Sequence, residues 1–117
     1  MKLSMLAETL EASFLNGEDR PDIEIDKAGA SDLMSDILAA LSERGVLLTG
    51  LTTIQAVKTA VISGVTAIVF VRNKTPEPDV VALAEMHGIP LLSTPCSMFV
   101  SCGRLYSVGL TGLNGSR

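Results

Sequence analysis

Strand-like and helix-like segments alternate three times between Val46 and Tyr106, and this alternation restricts the possible folds more than any other feature of the chain. Short apolar runs at 46–49, 66–71 and 90–93 are bounded by Gly, Pro and Thr, as is expected for strands that are covered on both faces. Helical crossovers between such strands imply a parallel sheet. The pattern therefore predicts an α/β domain with a mainly parallel sheet, and the run at 66–71 is placed centrally because it is the most continuous.

The composition is that of one domain with an aliphatic core. A chain of 117 residues is long enough to bury most of its apolar surface in a single core. Because 47% of the residues are hydrophobic and only 3% are aromatic, this core has to be built from Val, Leu, Ile, Ala and Met. We predict a single domain at residues 1–110, followed by a flexible tail at 111–117 that is rich in Gly, Ser and Asn.

Charge and hydropathy exclude several classes of partner. The net charge of −4 and the lack of any lysine or arginine run argue against a nucleic-acid partner. No apolar run approaches the roughly 18 residues that a membrane span needs, and the start of the chain carries no signal-peptide pattern. We therefore expect no membrane partner and a cytoplasmic location, in which Cys96 and Cys102 remain reduced.

Two helices and an extended segment are predicted before Val46. Ser4 can cap a first helix that ends at Asn16-Gly17 and has an apolar face formed by Leu3, Leu6, Leu10 and Phe14. Residues 22–26 alternate with period two, which is typical of an edge strand or an extended arm. A loop at 29–32 leads into a second helix that closes at 42–45, with Ser31 as its cap and an apolar stripe formed by Leu33, Ile37, Leu38 and Leu41.

The helices of the central unit have recognisable starts and stops. Thr52 and Gln55 have the spacing of a capping box, and Gly64 is a normal helix end. The prolines at 76 and 78 favour the start of the next helix, which runs over roughly 79–87. A last helix is predicted to start at Thr94-Pro95, with an apolar side formed by Met98, Phe99, Cys102, Leu105 and Tyr106.

Small polar residues follow each of the three predicted strands. If the strands are parallel, these residues lie at one edge of the sheet, where helix N-termini present free N–H groups to ligands. Arg72 and Lys74 add positive charge for an anionic group, although Thr, Ser and Pro are also ordinary helix starts. The edge lacks the glycine spacing of a dinucleotide fingerprint and the Gly-Lys-Ser or Gly-Lys-Thr of a phosphate loop. The candidate ligand-binding residues are Thr49, Gly50, Thr52, Arg72, Asn73, Ser93 and Thr94.

No catalytic constellation is evident. Cys96 falls in the first turn of the predicted last helix, where the helix dipole would favour a reactive thiolate, but no histidine or second cysteine is placed by sequence to assist it. His87 lies beside a helix end and is expected to interact with the last carbonyls. Asp32 and Asp36 share one helical face and could bind a cation, although acids near helix starts are common for structural reasons. No cluster has zinc or iron–sulfur spacing, so we expect no metal and no cofactor.

Several segments resemble the DRTGG domain family. The runs 46–50 and 82–95 resemble that domain, which occurs in some CBS-containing pyrophosphatases and in phosphotransacetylases and is similar to the N-terminal domain of HPr kinase/phosphorylase. The runs 29–36 and 102–106 look like the small stand-alone members found in anaerobes beside iron-only hydrogenase and sensor-kinase genes. The resemblance implies a three-layer α/β/α domain that forms a homodimer and acts as a regulatory or interaction module.

Three hypotheses about function follow. The first is a non-enzymatic regulatory or protein-interaction domain that serves a redox or signalling system, such as that of a hydrogenase. The second is a sensor that binds a nucleotide or another small anion at the carboxyl edge of the sheet. A pocket with converging polar residues would favour the sensor, whereas an exposed apolar patch would favour the interaction domain. The third is a thiol-dependent enzyme, which would need an exposed and reactive Cys96.

Overall fold

The computed structural model describes residues 1–39 and 43–113, and its elements alternate along the chain as predicted for an α/β domain. The strands are β1 (Ser13–Asn16), β2 (Lys27–Ala30), β3 (Gly45–Thr49), β4 (Ala67–Phe70), β5 (Leu91–Ser93) and β6 (Thr111–Gly112). The helices are α1 (Leu3–Leu10), α2 (Met34–Leu38), α3 (Ile54–Ser63), α4 (Pro78–Met86) and α5 (Met98–Ser107).

The strands form one six-stranded sheet in the order β1-β5-β4-β3-β2-β6. All neighbouring pairs are parallel except β1 and β5, which are antiparallel. The prediction of a mainly parallel sheet is therefore confirmed, and β4 lies in its interior as expected from its continuous apolar run.

Helices cover both faces of the sheet, so the fold has three layers. Along the central strands successive side chains point to opposite faces. Leu47 and Ile68 pack in the cluster that includes residues of α2, α3 and α4. Val46 and Leu48 pack in the other cluster, with residues of α1 and α5. Because both faces of these strands are buried, their sequences are continuously apolar rather than alternating.

The first predicted helix is too long. The structure ends α1 at Leu10, and Glu11 adopts a left-handed conformation with φ of 53° that terminates the helix. Residues 13–16 then form β1 at the edge of the sheet, antiparallel to β5. Phe14 still packs against the core, but from a strand rather than a helix. Ser4 is not the cap, since Lys2 occupies that position and makes no side-chain cap bond.

The segment before the second helix also differs from the prediction. Residues 27–30 form strand β2 beside β3, where a loop was expected from residue 29 onward. Residues 22–26 form no ladder strand and make a single isolated bridge between Lys2 and Glu24, which fits the extended-arm interpretation. Ile25 of this arm is fully buried.

The second helix starts later than expected. It begins at Met34 after Leu33, and Ser31 contributes by accepting a hydrogen bond from the Leu33 backbone N–H at 2.9 Å. Ile37 is buried as predicted, whereas Leu33 and Leu38 are exposed. The predicted core residue Leu41 and the turn residue Ser42 lie outside the described residues.

The domain extends beyond residue 110. Thr111 and Gly112 pair with β2, and Leu113 is buried in the core against the α2 side of the sheet. These three residues were assigned to a flexible tail because residues 111–117 are rich in Gly, Ser and Asn. The remaining four tail residues, 114–117, lie outside the described residues.

Two of the predicted boundary signals in the central unit are confirmed, and two predicted helix starts are not. Gly64 ends α3 with φ of 83°, and Pro78 occupies the first turn of α4. The α3 cap is Thr53, without a side-chain cap bond, so the predicted capping box does not form. Helix α5 begins at Met98, after Ser97, whose Oγ accepts a hydrogen bond from the Val100 N–H at 3.2 Å.

Phe99 and Tyr106, which were predicted to belong to the apolar side of the last helix, are on the surface. Val61 and Ile62 on α3 and Met86 on α4 are exposed as well. Within the described part of the chain, no helix has both the length and the apolar character needed to cross a bilayer.

Candidate ligand site at the carboxyl edge of the sheet

The residues that follow β3, β4 and β5 lie at one edge of the sheet, as the parallel arrangement requires. Thr49 is paired in register with Phe70, and Phe70 with Ser93, so the three strands end side by side. The loops after β4 and β5 are also bonded to each other, since the Asn73 N–H donates to the Thr94 carbonyl at 2.8 Å. The structure therefore brings the predicted residues to one edge, although it does not test whether a ligand binds there.

A carboxylate that was not included in the predicted site closes the turn after β3. Asp32 Oδ1 accepts hydrogen bonds from the Gly50 N–H at 2.6 Å and from Thr49 Oγ1 at 3.1 Å. Thr49 Oγ1 in turn accepts from the Leu51 N–H at 3.0 Å. Thr49 is fully buried. Its hydroxyl and the Gly50 N–H are thus occupied by contacts within the domain.

Arg72 lies opposite Asp32, across Gly50. A Cβ atom added to Gly50 would lie 3.4 Å from Arg72 Nη2 and 3.4 Å from Asp32 Oδ1. Arg72 and Asn73 both have φ of 58°, so the loop turns sharply here and the Arg72 N–H donates to the Cys96 carbonyl at 2.9 Å. The Arg72 guanidinium forms no hydrogen bond or ion pair with another described residue.

The predicted residues after β5 are bonded within the domain. Ser93 Oγ donates to the Lys74 carbonyl at 2.9 Å. Thr94 is fully buried; its Oγ1 donates to the Leu10 carbonyl and accepts from the Cys96 N–H at 3.1 Å. The Thr94 hydroxyl therefore joins the end of α1 to the loop that precedes α5, and its role in the structure is to connect these elements.

The charges at this edge restrict what could bind. An anion beside the Gly50 N–H would meet the Asp32 carboxylate, which already occupies that donor, and like charges at this range repel. Arg72 and Lys74 are exposed and could attract an anion on the outer side of the loop after β4. The arrangement thus supports at most a shallow anion site at these two side chains.

The other residues singled out by sequence are not grouped around this edge into a catalytic set. Cys96 precedes α5 instead of lying in its first turn, and its thiol is 3.5 Å from the Leu10 carbonyl. His87 is the exposed C-cap of α4. Asp36 Oδ2 accepts a hydrogen bond from Ser31 Oγ at 3.3 Å. Among residues 1–39 and 43–113, no group of three or more His, Cys, Asp or Glu is placed to hold a metal ion.

Three cavities lie elsewhere on the domain. A cleft of about 150 Å³ between α5 and the outer strands is lined by residues that include Ala28, Ala30, Leu48 and Tyr106. A groove of about 260 Å³ between α3 and α4 is lined by Lys58, Val61, Ile62, Leu83 and His87. A polar hollow of about 390 Å³ follows β1 and is lined in part by Glu18, Asp19 and Glu85. None of the three is lined by a predicted ligand-binding residue.

The likeness of this chain to known proteins lies in its fold. No protein-family model and no curated protein matches the chain. Among solved structures it is similar to the CBS and DRTGG domains of the regulatory region of Clostridium perfringens pyrophosphatase, in a crystal structure with the activator diadenosine tetraphosphate. The TM-score is 0.74 at 18% identity, and the match covers 96% of this chain and 48% of that chain.

The chain therefore spans about half the length of the regulatory region that it resembles. At 18% identity the likeness establishes the fold alone, and the fold of this chain is related to that of this CBS and DRTGG region.

Proposed function

We propose that this chain is a non-enzymatic regulatory domain that acts through protein–protein contacts, including contacts between two copies of itself. The observation that carries the proposal is the way polar and apolar groups are used. The hydroxyl groups of Thr49, Ser93 and Thr94 form hydrogen bonds within the domain. Large apolar side chains on all five helices are exposed. A surface with this character is suited to a protein partner more than to a small polar ligand.

The fold supports the same proposal. The similar pyrophosphatase region is regulatory. The structural match covers nearly the whole of this chain and about half of that region. The segments at 29–36 and 102–106 resemble stand-alone proteins of hydrogenase and sensor-kinase gene clusters, and so we propose that the regulated system is a redox or signalling system of that kind.

The first expected result concerns the oligomeric state. Light scattering of the purified protein should give the mass of a dimer at about 0.1 M and at about 1 M NaCl, because apolar contacts are not screened by salt. A charge-based association would instead weaken over this range. A protein that is monomeric at both salt concentrations would contradict the proposed self-association.

A second candidate function is a sensor of nucleotides or related anions. The observation that favours it is the exposed Arg72 guanidinium, which has no partner among the described side chains, with Lys74 two residues away. The pyrophosphatase region was crystallised with diadenosine tetraphosphate, and so that compound belongs among the ligands to be tested.

If the sensor function is correct, calorimetric titration with adenine and guanine nucleotides and diadenosine tetraphosphate should show saturable binding. Arg72→Ala should then weaken that binding by at least about tenfold, since a charge-assisted hydrogen bond contributes roughly 1.5–3 kcal/mol. The matched control is Arg44→Ala, which removes an exposed arginine that pairs with Asp26 away from the edge. Equal affinity in wild type and Arg72→Ala would exclude Arg72 from the site.

A further inference from the structure

Two of the four aromatic side chains of this protein are on the surface of the same helix. Phe99 is 87% exposed and Tyr106 is 52% exposed, whereas Phe70 is fully buried. Phe99 and Tyr106 are seven positions apart, about two helical turns, and so they project from the same side of α5. Helix α5 packs on the sheet through the opposite side, where Ser101 and Leu105 are buried.

A glycine lies between the two aromatic residues, at a position where nothing within the domain requires a glycine. Gly103 occupies the interior of α5, where glycine disfavours helix formation. Its φ is not positive, and a Cβ added to it would have no neighbour within 4 Å. Neither backbone conformation nor crowding within the domain therefore calls for glycine at this position. A close approach from outside the domain would call for it.

The surroundings of this helix face carry little charge. The cleft beside it is lined by small and apolar residues of β2 and α5, including Ala28, Gly29, Ala30 and Cys102. Arg104 points elsewhere, because its Nη1 donates to the Thr9 carbonyl at 3.1 Å and pairs with Glu11 at 3.0 Å. A chain with a net charge of −4 repels a second copy of itself in general, and a face with few charged side chains adds little to that repulsion.

We infer that the outer face of α5, formed by Phe99, Gly103 and Tyr106 with the half-buried Cys102 at its edge, is the surface through which two copies of this chain dimerise. The inference rests on the proposed self-association and assigns it to one surface.

The spacing of the residues is self-complementary. A two-fold axis perpendicular to α5 and midway between positions 102 and 103 makes the two α5 helices antiparallel. It places Phe99 of each copy opposite Tyr106 of the other, and it places the two glycines beside the axis, where their lack of side chains lets the helices approach closely. The two Cys102 residues then also lie near the axis, although each side chain is half-buried and packs in part against its own core.

The exposed aromatic side chains supply part of the area that a dimer interface needs. A buried aromatic side chain removes about 150–250 Å² from water, so the exposed parts of Phe99 and Tyr106 together offer about 280 Å² per copy. A standard interface buries about 800 Å² per partner. The two aromatic residues thus supply about a third of that area, and the adjoining cleft, which is lined by small and apolar residues that include Ala28 and Ala30, extends the same apolar face.

The groove between α3 and α4 is the competing surface. It also exposes apolar side chains, with Ile62 at 67%, but Lys58 and His87 line it. Two copies docked through this groove would bring their Lys58 ammonium groups into the same interface. The groove also lacks an unexplained glycine between its exposed residues, and so it fits self-association less well than α5 does.

The first test is charge insertion with a matched control. Phe99→Glu places a carboxylate on each side of the two-fold axis and should raise the dimer dissociation constant by at least about 100-fold, measured by analytical ultracentrifugation. Ile62→Glu makes the same change in net charge on the α3–α4 groove and should leave the constant within about twofold. Dissociation by Ile62→Glu together with an unchanged constant in Phe99→Glu would overturn the assignment to α5.

A second variant separates folding from association. Because a side chain at position 103 meets open space in one copy, Gly103→Leu should leave the thermal midpoint of the monomer unchanged or higher. The same change should raise the dimer dissociation constant by about 100-fold, since the added side chain enters the interface twice. A stable monomer with unchanged dimerisation would contradict the close approach at Gly103.

Cys102 provides a direct measure of proximity. A short bismaleimide should join two copies of wild type and of Cys96→Ser, but not of Cys102→Ser. Burial raises the pKa of the Cys102 thiol, and so the reaction should be run at about pH 8 to increase its thiolate fraction. A dimeric wild type without this cross-link, combined with dimeric Phe99→Glu, would refute the α5 interface and leave the proposed regulatory function standing. A monomeric wild type would refute self-association as such.

Discussion

We expect Asn16→Ala to lower the free energy of unfolding by about 3 kcal/mol. Asn16 is only 6% exposed, and its side chain makes two hydrogen bonds to the backbone of a distant segment. Its Nδ2 donates to the Ile89 carbonyl at 3.1 Å, and its Oδ1 accepts from the Leu91 N–H at 2.6 Å. The substitution leaves both backbone groups buried without a partner, and each such group costs about 1–3 kcal/mol.

The position of Asn16 explains why its side chain is needed. The register of β1 against β5 shifts between Phe14 and Asn16, and so the regular ladder is interrupted there. The amide of Asn16 replaces the missing backbone pairing and holds the antiparallel edge strand on the parallel sheet. Loss of the amide should therefore loosen β1 as well as lower the stability of the domain.

Urea unfolding followed by far-UV circular dichroism measures this effect, because the chain has no tryptophan to report by fluorescence. Asn16→Asp is the matched control. One carboxylate oxygen can still accept from the Leu91 N–H, but the other faces the Ile89 carbonyl oxygen, to which the Asn16 amide donates in wild type. The folded state then favours the protonated acid, and so the pKa of the introduced carboxyl rises above the unfolded value of about 3.9.

The sign of the resulting pH dependence follows from proton binding. Between the unfolded and the raised folded pKa the folded state binds more protons, so the stability of Asn16→Asp relative to wild type should fall as the pH rises above about 4. A free energy of unfolding for Asn16→Ala within about 0.5 kcal/mol of the wild-type value would show that the two hydrogen bonds contribute little.

The parts of the fold that could be predicted are those in which local pattern and tertiary role coincide. Strands β3, β4 and β5 were predicted because strands buried on both faces have continuous apolar sequences. Strand β1 was assigned to a helix because Phe14 continues the spacing of Leu6 and Leu10, although Glu11 breaks the helix with a left-handed conformation that its residue type does not indicate. Strand β2 has the sequence Lys-Ala-Gly-Ala, without β-branched or aromatic residues, and is a strand because β3 lies beside it.

The candidate edge shows a similar division. Parallel strands fix which loops share an edge, and so that grouping could be predicted from the sequence. The hydrogen-bond partners could not: Asp32 reaches Thr49 from 17 residues away, and Thr94 reaches Leu10 from 84 residues away. Apolar spacing on α5 identified Phe99 and Tyr106 as one helix face, but spacing alone does not distinguish a face that meets the core from one that meets another molecule.

Phe70→Ala should be the most damaging of the substitutions considered, with a loss of about 4 kcal/mol. Phe70 ends β4, is fully buried, and packs in the cluster that joins the sheet to α3 and α4. Truncation removes its apolar contacts and leaves a cavity that a sheet buried on both faces cannot close, and changes of this kind cost about 3–5 kcal/mol. A domain of this size is stable by only about 5–15 kcal/mol, so the variant would lose a large share of its stability.

Thermal unfolding by circular dichroism measures the loss, and Phe70→Leu is the control because it keeps most of the volume and should cost less than about 1.5 kcal/mol. Phe70 is paired with Thr49 and is followed two residues later by Arg72, so the cavity lies directly beneath the candidate edge. If that edge binds an anion, Phe70→Ala should weaken binding even below its unfolding temperature, whereas α5-mediated dimerisation on the opposite face should persist while the domain stays folded. Equal loss of both properties at temperatures where the variant is folded would contradict the separation of these two surfaces by the sheet.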